Sequence, residues 1–84
     1  MENTTTTTRA ISSIAYEIKR LWRPVHPFAA PYLDAMTCVE SMNDQYIMED
    51  GRTQVIYFLA NATMWRGPDA RRIKAELNAM LKKR

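Results

Sequence analysis

The sequence predicts an all-α fold, a compact bundle of about four short helices, from three observations. The chain of 84 residues contains only two glycines. Its apolar residues recur at helical spacing, and its prolines stand where the periodic segments end or begin. Because so short a chain has room for one modest core, we expect a single helical domain over residues 8–84.

Residues 1–7 are expected to form a disordered N-terminal tail. They include most of a threonine run, and polar runs of this kind cannot bury enough apolar surface to become ordered. Thr7 or Thr8 is expected to cap the first helix by accepting a hydrogen bond from a free backbone N–H.

The first helix is predicted from Arg9 to Trp22. Pro24 stops it, because a proline ring disfavours the helical conformation of the residue before it. The apolar stripe of this helix consists of Ile11, Ile14, Ile18 and Leu21.

The second helix is predicted to begin at Pro31, where the missing backbone N–H of proline is no loss. Cys38 lies beside its apolar face, so we expect a small packed side chain there rather than a nucleophile. The residues of that face are Tyr32, Ala35, Met36, Val39 and Met42.

Residues 46–58 fit two structures. An Asp-Gly pair at positions 50 and 51, between two apolar runs, is a recognised signal for a β-hairpin. The second run, however, continues from Val55 to Trp65, which is too long for an ordinary strand, and its apolar residues have helical spacing. We favour a third helix, closed by Gly67, over the hairpin.

The fourth helix is predicted to begin at Pro68. Arg72 and Glu76 are expected to pair with each other across one helical turn. The core stripe consists of Ala70, Ile73, Leu77, Met80 and Leu81. The residues expected to face outward are Arg71, Arg72, Lys74 and Asn78.

Charge is unevenly distributed along the chain, although its net value is only +3. Residues 31–52 carry five acidic residues and one basic residue, whereas residues 53–84 carry seven basic residues and two acidic ones. The basic region after the third helix is therefore the candidate binding surface. Its candidate residues are Trp65, Arg66, Arg71, Arg72 and Lys74. The alternative is that Trp65 caps the core and the charges form a solvated surface.

The composition argues against an enzyme. With His26 and Cys38 as its only histidine and cysteine, the chain cannot assemble a metal-ligand cluster or a catalytic triad, and we expect no metal and no cofactor. No apolar run approaches the roughly 20 residues of a membrane span, and the N-terminus lacks the apolar core of a signal peptide. We therefore expect a cytoplasmic protein without membrane contact.

Two functions fit these patterns. The first is a non-enzymatic binding protein that presents the fourth helix and the corner at Trp65 and Arg66 to a partner protein. The second is a small nucleic-acid-binding regulator in which the third and fourth helices act as a helix-turn-helix. Its contacts to nucleic acid would be Arg71, Arg72 and Lys74.

A resemblance is carried by residues 31–36 (PYLDAM), 57–63 (YFLANAT), 65–67 (WRG) and 70–77 (ARRIKAEL). These segments are similar to small, mostly uncharacterised accessory proteins of phages and mobile elements, and the similarity covers residues 31–81. It implies a setting and no site residues. Short proteins in that setting often bind and block a host factor, anti-CRISPR proteins among them, so the implied partner is a host defence protein that is inhibited by occlusion.

We also expect self-association as a symmetric homodimer through the side of the molecule that carries the fourth helix. Four short helices offer more apolar residues than one small core needs, and flexible methionines suit contact surfaces. The surplus residues are Met42, Ile47, Met48, Ile56, Met64 and Met80. The alternative is that they complete the core of a monomer.

Overall fold

A computed structural model of the chain describes residues 9–46 and 49–82. The elements in chain order are helix α1 (Ile11–Leu21), helix α2 (Ala30–Met36), strand β1 (Gln45–Tyr46), strand β2 (Glu49–Asp50), helix α3 (Gly51–Ala60) and helix α4 (Pro68–Lys82). The predicted all-α class is confirmed, since extended pairing in the described residues is confined to the two-residue strands. The tail predicted for residues 1–7 lies outside the described residues.

The first helix does not begin as predicted. Its N-cap residue is Ala10, which makes no side-chain cap hydrogen bond, and Thr7 and Thr8, from which a cap was predicted, lie outside the described residues. The backbone N–H of Ile11 instead donates to the Glu40 carbonyl at 2.9 Å. This long-range hydrogen bond satisfies a free donor of the first turn and ties α1 to the loop after α2.

The core lies between the four helices and contains most of the predicted stripes. Its buried residues from α1 and α4 are Ile11, Ile14, Ala15, Ile18, Ala70, Ile73, Leu77 and Met80. The prediction that Leu21 lies in the core is wrong. Helix α1 ends at this residue, and its side chain is 38% exposed. Trp22, the next residue, packs against the core in its place.

The second helix is shorter than predicted and ends at Met36. Val39 and Met42 are nevertheless buried, because the loop that follows turns them back onto the core. Cys38 is exposed, which contradicts the expected packed thiol. Its backbone N–H bonds to the Ala35 carbonyl in a tight turn, so the residue no longer follows the apolar face of the helix.

The ambiguous segment contains both predicted structures in succession. Helix α3 confirms the favoured interpretation from Gly51 onward, and the hairpin signal corresponds to the antiparallel pairing of Tyr46 with Glu49 just before it. Asp50 caps α3, since its carboxylate accepts hydrogen bonds from the Thr53 N–H at 3.0 Å and from the Thr53 hydroxyl at 2.8 Å. Gly51 is required because a Cβ there would collide with the Ser41 carbonyl oxygen.

Helix α3 ends at Ala60 and does not continue to Trp65. Residues 61–67 form a connection in which Gly67 has a φ of +110°, a conformation that favours glycine. The prediction that Gly67 closes α3 is therefore wrong. It precedes α4, where its carbonyl accepts the hydrogen bond from the Arg71 N–H at 2.9 Å.

The apolar residues expected to be surplus divide into two groups. Met42 and Met80 belong to the core, whereas Ile56 and Met64 are exposed. Ile47 and Met48 lie outside the described residues. Half of the described members therefore remain available at the surface, and the expected homodimer stays a prediction.

Candidate partner-binding surface

Two tryptophans from distant parts of the chain stack on each other at one end of the molecule. The rings of Trp22 and Trp65 are nearly parallel, with an interplanar angle of 10° and centroids 5.5 Å apart. Trp22 also meets Phe58 edge to face at a centroid distance of 6.2 Å. Trp65 is only 5% exposed, so its ring caps the core as the alternative interpretation expects, and its part in a binding surface stays a prediction.

Each of these tryptophans is followed by an exposed arginine. Because the rings are stacked, Arg23 and Arg66 leave the core at the same end of the molecule. Neither guanidinium group forms a hydrogen bond or an ion pair with the described residues. We call the four residues Trp22, Arg23, Trp65 and Arg66 the Trp–Arg corner. It combines two stacked rings, one buried and one half-buried, with two cations that are unpaired within the described residues.

The two neighbouring arginines of α4 have different surroundings. Arg71 is exposed, and its guanidinium group has no partner among the described residues. Arg72 is engaged: its Nη2 atom lies 3.0 Å from Glu17 Oε2 and 3.4 Å from Asp69 Oδ1. Since successive residues on a helix point about 100° apart, one side chain faces solvent and the other faces α1.

The prediction that Arg72 pairs with Glu76 within α4 is wrong. Arg72 instead contacts Glu17 in α1, and Glu76 contacts Arg9 just before α1. Glu76 accepts two hydrogen bonds from Arg9, at 2.8 and 2.9 Å. Arg9 also lies 2.7 Å from Glu17, the carboxylate that binds Arg72. We call Arg9, Glu17, Arg72 and Glu76 the α1–α4 seam, and its arginines hold the pKa of Glu17 below its ordinary value.

Lys74 does not face outward as expected. Its ammonium group donates to the Ala62 carbonyl at 2.6 Å and to the Trp65 carbonyl at 2.7 Å. Burial lowers the pKa of Lys74, and the charge of nearby Arg66 lowers it further. Lys74 therefore fastens the connection of residues 61–67 to α4, and it brings a third positive charge close to the Trp–Arg corner.

The predicted site is thus divided. Of its residues, Arg66 and Arg71 are exposed and have no partner within residues 9–46 and 49–82, Trp65 and Lys74 support the connection, and Arg72 belongs to the α1–α4 seam. Sequence reasoning missed Arg23. A signal for it existed, because the chain repeats a Trp-Arg pair shortly before a proline, as Trp-Arg-Pro at residues 22–24 and as Trp-Arg-Gly-Pro at residues 65–68.

His26 and Cys38, the histidine and the cysteine of the chain, have local partners. His26 Nδ1 accepts a hydrogen bond from the Phe28 N–H at 3.1 Å, and the Cys38 thiol lies 3.8 Å from the Asp34 carbonyl oxygen. Residues 9–46 and 49–82 contain no group of three or more potential ligands that could hold a metal ion. The exposed arginines can bind carboxylates or other anions through the parallel N–H donors of the guanidinium group.

Comparison with known proteins finds no matching family model, no matching curated protein and no matching solved structure. The resemblance to accessory proteins of phages and mobile elements therefore stays a prediction. Within the described part of the chain, no helix has both the length and the apolar content needed to cross a membrane.

Proposed function

We propose that this chain is a non-enzymatic protein-binding module that docks an acidic surface of its partner on Arg23, Arg66 and Arg71. The observation that carries the proposal is that these three guanidinium groups are exposed and, like that of Arg20 in α1, unpaired within the described residues, whereas Arg9 and Arg72 are neutralised by carboxylates. Positive charge left without an internal partner is available for an external one.

The support beneath these arginines favours binding. An arginine fork binds a carboxylate through two parallel hydrogen bonds, and arginine and tryptophan are enriched among the residues that dominate interface energies. The stacked rings and the Lys74 hydrogen bonds fix the backbone at Arg66 before a partner arrives. Less backbone freedom is then lost on binding, which raises affinity.

The setting of this activity is proposed on the resemblance given above. The module would be a phage-type inhibitor in the cytoplasm, and it would act by covering a surface that a host defence factor needs. A homodimer through the side of the molecule that carries α4 remains part of the proposal, and Ile56 and Met64 are the apolar residues of the predicted surplus that are exposed within the described chain.

The alternative, a nucleic-acid regulator with a helix-turn-helix, has weaker support. Of the three α4 residues that would contact nucleic acid, Arg72 is paired with carboxylates and Lys74 with carbonyls, which leaves Arg71. The connection between α3 and α4, residues 61–67, is also longer than the three or four residues of the usual turn.

Affinity capture with a matched charge control tests the proposal. The variant carries Arg23→Gln, Arg66→Gln and Arg71→Gln, and the control loses the same charge through Lys82→Gln, Lys83→Gln and Arg84→Gln. Each bait is incubated with nuclease-treated bacterial lysate at physiological salt, and bound proteins are identified by mass spectrometry. We expect a protein that the wild type and the control retain and that the variant loses.

Two results would overturn the proposal. One is a set of captured proteins that the variant and the control lose equally, which would reduce the interaction to net charge. The other is retention of DNA by the wild type in a gel shift with a 20-base-pair duplex, combined with no selectively captured protein. The second result would instead favour the regulator, whose affinity would fall steeply with salt concentration.

A further inference from the structure

We propose that a cleft beside the Trp–Arg corner receives one large apolar side chain from an acidic segment of the partner protein. This proposal rests on the proposed function, and it specifies the chemistry of the contact. The cleft lies between the C-terminal end of α1 and the start of α2, and Trp22 and Arg23 belong both to it and to the corner.

The walls of the cleft suit an apolar group. They are formed by Trp22, Val25, Ala30 and Leu33, of which the first three are half-buried and the last is buried. The volume is about 270 Å³, just below the roughly 300–1,000 Å³ of pockets that enclose small-molecule ligands. The cleft is thus at the lower limit for a small molecule, and it has room for a single side chain inserted from a partner.

Charged side chains stand at the rim of the cleft, and their net charge is positive. Lys19, Arg23 and Asp34 line it. Lys19 Nζ lies 2.7 Å from Asp34 Oδ1, so these two charges offset each other and Arg23 remains unpaired within the described residues. A carboxylate next to the inserted side chain can bind Arg23, which gives the occupant its acidic character.

The same rim disfavours nucleic acid as the occupant. Arg23 is the one cation of the rim left without a partner among the described residues, whereas a continuous phosphate backbone is bound by several cations. An acidic peptide can instead place its carboxylates toward Arg23 and Arg66 and its apolar side chain toward the Trp22 wall. The wall itself is held in place by the stack with Trp65.

A titration with three peptides, followed by ¹H–¹⁵N NMR spectra of the full chain, tests this occupant. The probe is a capped peptide with a central leucine and two glutamates on each side. One control peptide has alanine at the centre, and the other keeps leucine between serines. We expect the probe to bind about five- to tenfold tighter than the alanine peptide, because leucine buries more apolar area, and tighter than the serine peptide.

The position of the shifted signals is part of the same test. The probe should move the Trp22 indole signal and the amide signals of Val25, Ala30 and Leu33. Equal affinities for the leucine and alanine peptides, or shifts confined to residues outside the cleft, would overturn the proposal.

Two test substitutions and one control substitution link the result to the cleft. Ala30→Leu fills the cleft and should abolish the preference for leucine over alanine, whereas Ala79→Leu places the same side chain at an exposed site of α4 and should leave it intact. Arg23→Gln changes an exposed side chain, so the chain should remain folded. It should weaken the glutamate-flanked probe severalfold and leave the serine-flanked peptide unchanged.

The outcomes distinguish the failure of the cleft proposal from the failure of the proposed function on which it rests. If the arginine variant loses a captured protein while the leucine preference is absent, the cleft assignment is wrong and the arginine surface stands. If the arginine variant and its charge control capture the same proteins, both proposals are wrong.

Discussion

The α1–α4 seam and the Trp–Arg corner use arginine in opposite ways. At the seam, Arg9 and Arg72 converge on Glu17, and Arg9 also holds Glu76. At the corner, Arg23 and Arg66 stand on stacked tryptophans with no carboxylate partner in the described residues. The seam therefore contributes to holding two helices together, whereas no described residue neutralises the charge of the corner, which we propose is used for binding.

Arg71 and Arg72 show that two adjacent arginines can differ in whether a carboxylate neutralises them. They are adjacent in the sequence and have the same chemistry, yet one faces solvent and the other reaches Glu17 across the helix pair. A count of basic residues per segment cannot distinguish them. Their partners are decided by helical phase and by the antiparallel course of α1 and α4, which places residue 9 beside 76, residue 17 beside 72 and residue 22 beside 65.

The largest expected effect concerns the aromatic base of the corner. Trp65→Ala should lower the free energy of unfolding by about 3–5 kcal/mol, because it empties a buried site and removes the stacking partner of Trp22. Urea denaturation followed by circular dichroism measures this loss. Trp65→Phe retains a ring and should lose clearly less. A loss below about 1 kcal/mol for the alanine variant would show that the stack does not hold the corner.

The next effect concerns the connection that carries Arg66. Lys74→Met keeps the apolar stem but removes both hydrogen bonds to the carbonyls of Ala62 and Trp65, and should cost about 1–2 kcal/mol. Lys82→Met, at an exposed site of the same helix, is the control and should stay within about 0.5 kcal/mol of the wild type. Equal losses in the same urea experiment would contradict a specific role for Lys74.

The seam predicts a defined pH dependence. Arg9 and Arg72 lower the pKa of Glu17 below its ordinary value of 4.5, so the folded chain binds that proton less readily than the unfolded chain. The stabilisation is complete above about pH 4.5 and is lost as the pH falls through the lower folded-state pKa. Glu17→Gln should therefore cost about 1 kcal/mol at pH 7 and progressively less in acid.

Stability measured from pH 7 down to pH 3 for the wild type and Glu17→Gln tests this sign. The variant should keep a residual slope, because hydrogen bonds from backbone and side-chain groups also lower the pKa values of Asp44 and Asp50. A cost that grows toward low pH would contradict the assignment of Glu17 as the charged centre of the seam.

The smallest expected effect on stability separates the adjacent arginines. Arg71→Gln should change the free energy of unfolding by less than about 0.5 kcal/mol, since its guanidinium group has no partner to lose among the described residues. Arg72→Gln should destabilise the chain more than Arg71→Gln does, because it breaks the contact with Glu17. Chemical denaturation of both variants under identical conditions gives the comparison.

Local patterns predicted the helices well and their long-range partners poorly. The isoleucines of α1 and the stripe of α4 are buried as predicted, because one apolar face at helical spacing has to meet the core. Arg72 and Glu76 were paired incorrectly, because one helical turn is visible in the sequence whereas the approach of Arg9 and Glu17 depends on the fold. The burial of the Lys74 ammonium group could not be predicted from the sequence either, because it too depends on the fold.

The candidate surface could be predicted only in part, for the same reason. Arg66 and Arg71 were identified from local charge, but Arg23 lies in another segment and joins them only through the stack of Trp22 on Trp65. The exposure of Cys38 depends on where α2 ends. Periodicity extended that helix past Met36, and the turn that replaces its last part carries the thiol outward.

The most direct test of the division between seam and corner is the affinity of the captured partner for Arg71→Gln and Arg72→Gln, measured side by side at physiological salt. We predict that Arg71→Gln raises the dissociation constant about tenfold, as expected for loss of a charged interface contact, and that Arg72→Gln changes it less than about twofold. Equal losses, or a larger loss for Arg72→Gln, would contradict the assignment of unpaired arginines to binding and paired arginines to the fold.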